Sequence, residues 1–293
     1  MKIFTVTLNV AIDVHYYVPS FNAGEVCYTS RADRYAGGKG INIARALREN
    51  GVPCTAIAAV GQENAAEFLR LLDTACELIE TPGRTRENIT IHSPRQETRI
   101  CADIYGADES LLFYVGQKLL DECDEDSIVT FSGRLPNGIS PAAAAAFLEK
   151  VKARGAKLVV DCSNMPFEDV VRLKPWLIKP NEDEIALLSR DYEYAARRLA
   201  DSGVENVIVS LGAKGALFCS ADEFIRASVP KIENAYATGA GDASIAGFIA
   251  QEGSARERFV TALAYGSASC MREGMLPPLA KDIREIRSKI VCQ

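Results

Sequence analysis

Residues 127–160 read SIVTFSGRLPNGISPAAAAAFLEKVKARGAKLVV. The segment opens on a short apolar run, residues 127–131, and closes on another, residues 157–160. Runs of this kind suit strands buried on both faces. Between them Ser140-Pro141 opens a helix, with Ser as N-cap and Pro at the first helical position. Phe147, Leu148 and Val151 form its apolar stripe, and Gly155 ends it. The same alternation recurs along the chain. Residues 3–8, 55–60, 176–178 and 206–210 are further candidate strands, and residues 42–48 form a helix closed by Asn50-Gly51. An α/β fold follows: a mostly parallel sheet with helices on both faces.

Two segments, 13–36 and 86–106, lack helical stripes. They carry Val26-Cys27-Tyr28-Thr29, Asn88-Ile89-Thr90-Ile91 and a run in which Ile100, Ala102 and Ile104 alternate with polar or small residues. That alternation suits strands with one wet face. The four short strands could form a small separate sheet or lie at the edge of the main one. The alanine run 142–146 reflects helix propensity.

The 293 residues include 33 Lys and Arg against 39 Asp and Glu, a formal charge of −6. An acidic chain is not a general nucleic-acid binder. Small anionic substrates stay open, because they need only a few local cations. Two histidines, His15 and His92, cannot build a three-histidine metal site. The nine cysteines are spaced by at least 22 residues, so no C-x-x-C metal or redox motif exists. Met1-Lys2 leads straight into a strand-like run, and no apolar stretch approaches the ~18 residues of a membrane helix. The expectation is a cytoplasmic protein with reduced thiols and no membrane partner.

Three segments concentrate glycine: residues 37–42, 212–215 and 239–242. None is a P-loop, and Gly239-Ala240-Gly241 lacks the third glycine of a dinucleotide fingerprint, having Ser244. Thr238-Gly239-Ala240-Gly241-Asp242 runs into the apolar segment 243–249. Glycines at a helix entrance let backbone N–H groups converge on an anion. A carboxylate there suits phosphoryl transfer, where Asp242 accepts a proton from the attacking hydroxyl. Asp242 could equally be no more than the N-cap. Asn181 and Glu184 likewise fit a capping pair. They also fit a site organising Mg2+ and its waters, since a hard cation takes oxygen ligands. Ser210-Leu211-Gly212-Ala213-Lys214-Gly215 reads as a tight turn between strands, or as a backbone approach to nucleotide phosphates.

Taken in order, these motifs resemble those of the ribokinase-like sugar kinases, the PfkB family. The carriers are Gly37-Gly38-Lys39-Gly40-Ile41-Asn42, Lys179-Pro180-Asn181-x-x-Glu184, Ser210-Leu211-Gly212-x-x-Gly215 and Gly239-Ala240-Gly241-Asp242. Thr7-Leu8-Asn9-x-Ala11-Ile12-Asp13, Thr85-Arg86-x-Asn88 and Ser132-Gly133-x-Leu135-Pro136 are similar to the hexose-phosphate branch. The resemblance implies one doubly wound α/β domain over residues 1–293, with a small β-sheet lid from segments 13–36 and 86–106. It implies ATP and Mg2+ as cofactors and a hexose monophosphate as acceptor, fructose 1-phosphate before tagatose 6-phosphate or fructose 6-phosphate. Asp242 is then the base, with the amides of Gly239, Ala240 and Gly241 as anion hole. Asp13, Gly38 and Asn42 would hold sugar hydroxyls, and Lys39 and Arg86 the phosphate already on the sugar, helped by Asn88 and Ser132. Lys179, Asn181, Ser210, Gly212 and Gly215 fall on the nucleotide side, with adenine against the helix bearing Ala264 and Ser267. Lids in this family often pair between subunits, which implies a possible homodimer.

The chain departs from the branch at Val10, Arg134, Cys162-Ser163-Asn164 and Thr98-Arg99-Ile100-Cys101. These changes fall on the sugar side. Arg99 and Arg134 are expected as solvated surface cations or as extra phosphate contacts. The rival classes are a binding regulator that has lost turnover and, more distantly, a nicotinamide-dependent oxidoreductase.

Overall fold

The computed structural model describes residues 1–94, 96–233 and 235–293. The chain runs through β1 (Lys2–Thr7), β2 (Ala11–Tyr17), β3 (Arg31–Gly37), α1 (Lys39–Glu49), β4 (Thr55–Gly61), α2 (Ala65–Leu71) and β5 (Cys76–Thr81). It continues with β6 (Arg86–Ser93), β7 (Gln96–Cys101), α3 (Ser110–Leu119), β8 (Ser127–Gly133), α4 (Pro141–Lys152), β9 (Lys157–Cys162), α5 (Phe167–Arg172) and β10 (Leu177–Ile178). Then follow α6 (Glu182–Ala186), α7 (Tyr192–Asp201), β11 (Asn206–Ser210), β12 (Ala216–Cys219) and β13 (Phe224–Ser228). The last elements are α8 (Ala240–Ala250), α9 (Ala255–Ser269), α10 (Ala280–Arg287) and β14 (Val291–Cys292).

The main sheet has the order β14-β13-β12-β11-β10-β9-β8-β1-β4-β5. From β11 to β5 neighbouring strands are parallel. Beyond β11 the last three strands add antiparallel. Two cores cover the two faces. Ile3 of β1 packs with residues of α1, α2, α8, α9 and α10. Phe4 and Val6 turn to the other face, against α3 to α7. This alternation along one buried strand is the pleat at work. The sequence of 127–160 folds as read: the Ser140 side chain accepts the Ala143 N–H, and Phe147, Leu148 and Val151 are buried.

Strands β2, β3, β6 and β7 form a separate four-stranded sheet in the order β3-β2-β6-β7. Residues 26–29, expected as a strand, are irregular instead, with Val26 and Tyr28 80% and 83% exposed. No sheet neighbour covers them, so β-branched and aromatic composition alone does not make a strand. The first helix also starts earlier than expected, at Lys39, because Gly38 caps it and the Gly40 amide donates to Thr7 Oγ1 at 2.8 Å.

Strand β1 pairs with β4 on one side and β8 on the other. The chain therefore reverses its direction of winding at β1. In open α/β sheets, ligands bind outside the carboxyl ends of the strands at such a point. The ends of β1, β8, β9, β10 and β11 deliver Thr7, Gly133, Asp161, Ile178 and Ser210 to one edge of the sheet. Among the described residues, no helix is long and apolar enough to cross a membrane.

The turn from β11 into β12 depends on Gly215. Its φ is +100°, and a Cβ there would lie 2.0 Å from the Ala227 carbonyl oxygen. Gly215→Ala therefore combines backbone strain with a clash against β13. Denaturant unfolding should show a loss of about 2 kcal/mol or more. A change smaller than about 0.5 kcal/mol would contradict this placement.

Candidate active site

Helix α8 begins at Gly239, whose φ of 82° is left-handed and which makes no side-chain cap. Behind it Ala243, Ile245 and Phe248 anchor the helix in the core. Asp242 lies in the first turn and is buried at 7% exposure. It does not cap the helix. Its carboxylate instead accepts a hydrogen bond from Asn42 Nδ2 of α1 at 2.7 Å. The amide of Ala240 turns back to the Ala237 carbonyl at 3.2 Å. Among the described residues, the amides of Gly239 and Gly241 have no such partner.

Two lysines flank this turn. Lys39 Nζ donates to Asp161 Oδ1 at 2.9 Å. A Cβ on Gly241 would lie 2.9 Å from Lys179 Nζ, so that ammonium rests on the backbone of the helix entrance. Asp161 and Lys179 are buried, at the ends of β9 and just after β10. Burial pushes the Asp242 carboxyl up to about 6; Lys39 opposes the shift, Asp161 adds to it, and Asn42 and Lys179 hold it down. Burial also disfavours charge on Lys39, but Asp161 and Asp242 outweigh it, and its pKa moves up. Lys39 therefore stays charged near neutrality.

The small sheet carries the other expected sugar-side residues. Asn88 Nδ2 donates to Asp13 Oδ1 at 2.9 Å. Burial raises the Asp13 pKa, while Asn88 and Arg86 oppose the rise. The Arg86 guanidinium reaches the backbone oxygens of Val10, Ala102 and Asn9 at 3.4, 3.1 and 3.3 Å. Ser132 at the end of β8 is buried, and its Oγ has no partner. Gly38 caps α1 immediately before Lys39.

The Asn181 and Glu184 pair forms a reciprocal capping box at α6, each bond 2.9 Å. Both carboxylate and amide keep unused oxygen capacity. A cavity of about 320 Å³ lies beside them, lined by Asp161, Asn164, Phe167, Lys179 and Glu184. Ser210 bridges to Asn181, and its amide donates to the Pro180 carbonyl at 3.0 Å. Gly212 and Gly215 bound the turn that follows. Ser267 is buried on α9, next to Gly266, which packs closely on Ala240 and Ser244 of α8. Thus Asn42, Lys39, Lys179 and Asp242 converge, whereas Ser210, Gly212, Gly215 and Ser267 make no hydrogen bond to this cluster among the described residues.

Asp161 was not among the expected site residues. It ends an apolar strand, Lys157-Leu158-Val159-Val160-Asp161, and a carboxylate in that place was the available signal. Arg134 is taken up by Asp103 through a two-pronged contact at 3.2 and 2.7 Å. Arg99 is bound by Glu97 and reaches Thr238, beside the glycine turn. The two histidines pair with each other in the small sheet, 2.8 Å between ring nitrogens.

A profile of the pfkB family carbohydrate kinases matches residues 4–278. The chain belongs to this family. It is a phosphotransferase with an alcohol group as acceptor. A 1-phosphofructokinase of Haemophilus influenzae is 32% identical over 268 residues, which cover 85% of this chain and 83% of that one. A 1-phosphofructokinase of Borreliella burgdorferi is 30% identical over 305 residues, covering 99% and 97%. Phosphofructokinase-2 of Escherichia coli, solved in complex with substrates and products, superposes with a TM-score of 0.91 at 25% identity. That match covers 98% of this chain and 99% of the other.

The raised Asp242 pKa has a cost in stability. The ordinary aspartate value is 3.8, against about 6 in the fold. The folded carboxyl keeps a proton that the unfolded one releases, so its contribution to stability falls as pH rises through that window. Asp242→Asn removes this effect. Denaturant unfolding from pH ~4 to ~7 should show the variant gaining on the wild type by on the order of 2 kcal/mol. A difference independent of pH would contradict the burial cost assigned to this carboxylate.

Proposed function

We propose that the enzyme transfers the γ-phosphoryl group of ATP to a hydroxyl of a hexose monophosphate, with fructose 1-phosphate as the favoured acceptor. The observation that carries this reading is the buried carboxylate of Asp242 at a helix entrance, between two lysines and bound by Asn42. Asp242 takes the proton of the acceptor hydroxyl. Its pKa of about 6 suits that task near neutrality. The free amides of Gly239 and Gly241 and the start of α8 face the charge that develops in transfer. Lys39 and Lys179 add fixed positive charge there.

Asp13, Asn88, Gly38 and Asn42 would hold sugar hydroxyls. Arg86 has three contacts to backbone oxygens and none to a carboxylate side chain among the described residues, which leaves N–H groups for a phosphate. The name 1-phosphofructokinase carried by the two relatives favours fructose 1-phosphate. Tagatose 6-phosphate and fructose 6-phosphate keep the same mechanism.

Asn181, Glu184 and Asp161 are the residues suited to a Mg2+ ion and its waters, because each has a side-chain oxygen with a lone pair to spare, and Asp161 and Glu184 line the cavity beside Lys179. When bound, that ion offsets charge on the phosphoryl oxygens. Ser210, Gly212, Gly215 and Ser267 would border the nucleotide.

The small sheet would act as a lid over the sugar. Arg31 reaches Glu273 at 2.6 Å, and Arg99 reaches Thr238, so the sheet already touches the loops around the glycine turn. Closure would exclude water, which otherwise competes as acceptor. The exposed Ile100 of β7, with Val26, Tyr28 and Ile104 on the segments beside the sheet, would offer an apolar surface for a homodimer.

A coupled assay across fructose 1-phosphate, fructose 6-phosphate, tagatose 6-phosphate and unphosphorylated sugars tests the reading. Turnover with the first should exceed the rest, and Asp242→Asn should lose about 10²–10⁴-fold in kcat. Arg86→Ala should raise KM for the phosphosugar while leaving KM for ATP near its starting value. Near-normal turnover of Asp242→Asn would overturn the assignment of the base.

A further inference from the structure

A second cavity, of about 400 Å³, lies between the end of α1, residues 73–75 and the loop that follows α9. Arg45, Arg48 and Arg272 line it, against Glu49 and Asp73 as its acidic residues. Arg45 is buried, at 5% exposure. It binds Asp73, donates to Asn42 Oδ1 at 3.2 Å and donates to the Ala36 carbonyl at 2.6 Å. The Asp73 charge is therefore already engaged.

The other two arginines are not satisfied in this way. Arg48 donates one bond, to the Cys54 carbonyl at 3.0 Å. The Arg272 side chain has no hydrogen bond among the described residues, although its Nε is shut off from solvent. Neither guanidinium lies within ion-pair distance of a carboxylate among the described residues. A buried N–H without an acceptor is unfavourable, and native folds rarely leave one. A guanidinium fork matches the paired oxygens of a phosphate or similar oxyanion.

We infer that this cavity binds a small oxyanion of the phosphate type, held by Arg272 and Arg48 with Arg45 behind them. The site is separate from the sugar and nucleotide groups of the active site. It is nevertheless two hydrogen bonds from the base: Arg45 to Asn42, and Asn42 to Asp242 at 2.7 Å. The inference does not depend on which sugar the enzyme accepts.

Calorimetric titration with inorganic phosphate tests it, using the full chain, an Arg48→Gln/Arg272→Gln variant and an Arg86→Gln variant. The Arg86→Gln protein should retain a binding event that the double variant loses or binds roughly tenfold more weakly. Arg48→Gln alone, at an exposed position, should show the same direction of change if the double variant fails to fold. A wild-type protein that takes up no phosphate, or a double variant whose isotherm superimposes on the wild type's, would overturn the inference.

Discussion

A carboxylate buried at the entrance of α8 is the constraint from which the site is built. Asp242 loses most of its water, which disfavours its charge. It remains ionisable because Asn42 hydrogen-bonds it and two ammonium groups lie close by. Those partners come from distant parts of the chain. Asn42 and Lys39 belong to α1, Lys179 follows β10, and Asp161 is the next-to-last residue of β9. Each is delivered by an element whose main role is to fill the core. The charge arrangement therefore holds only when both cores are packed.

The sheet explains why these groups meet. Winding reverses at β1, so helices α1 and α8 lie on one face while the strand ends converge at a single edge. The small sheet, fed by segments on either side of α1, carries Asp13, Asn88 and Arg86. Its contacts with Glu273 and Thr238 tie it to loops that precede and face the glycine turn. In the proposed reading, closure of this sheet over the sugar is what makes the acceptor hydroxyl preferred to water.

The parallel half of the sheet was legible because its strands are continuous apolar runs. Residues 206–210 match β11 to the residue, and Ser140-Pro141 marks the start of α4 as expected. Of the antiparallel half only the 210–215 turn was legible, joining β11 to β12 as read; β12 itself has four residues and β14 two. Strand β5, Cys-Glu-Leu-Ile-Glu-Thr, alternates with glutamates at the sheet edge and reads as surface. At the site, Asn181 and Glu184 do form the capping box that their spacing allowed, so spacing alone could not separate a cap from a cation site. Asp242 went the other way: its position suggested a cap, and only the fold shows its oxygen turned to Asn42. The pairing of Lys39 with Asp161 joins residues 122 positions apart and has no local signature.

The central claim is that Asp242 acts as the base and that Lys39 keeps its pKa within working range. The pH dependence of kcat/KM tests this most directly, compared between the wild type and Lys39→Met. The wild type should rise to a plateau with a midpoint near about 6. Loss of the ammonium should move that midpoint to higher pH, since Lys39 is the strongest influence holding the carboxyl down. A profile that stays flat through the acid range, or a midpoint that does not move in Lys39→Met, would contradict the account.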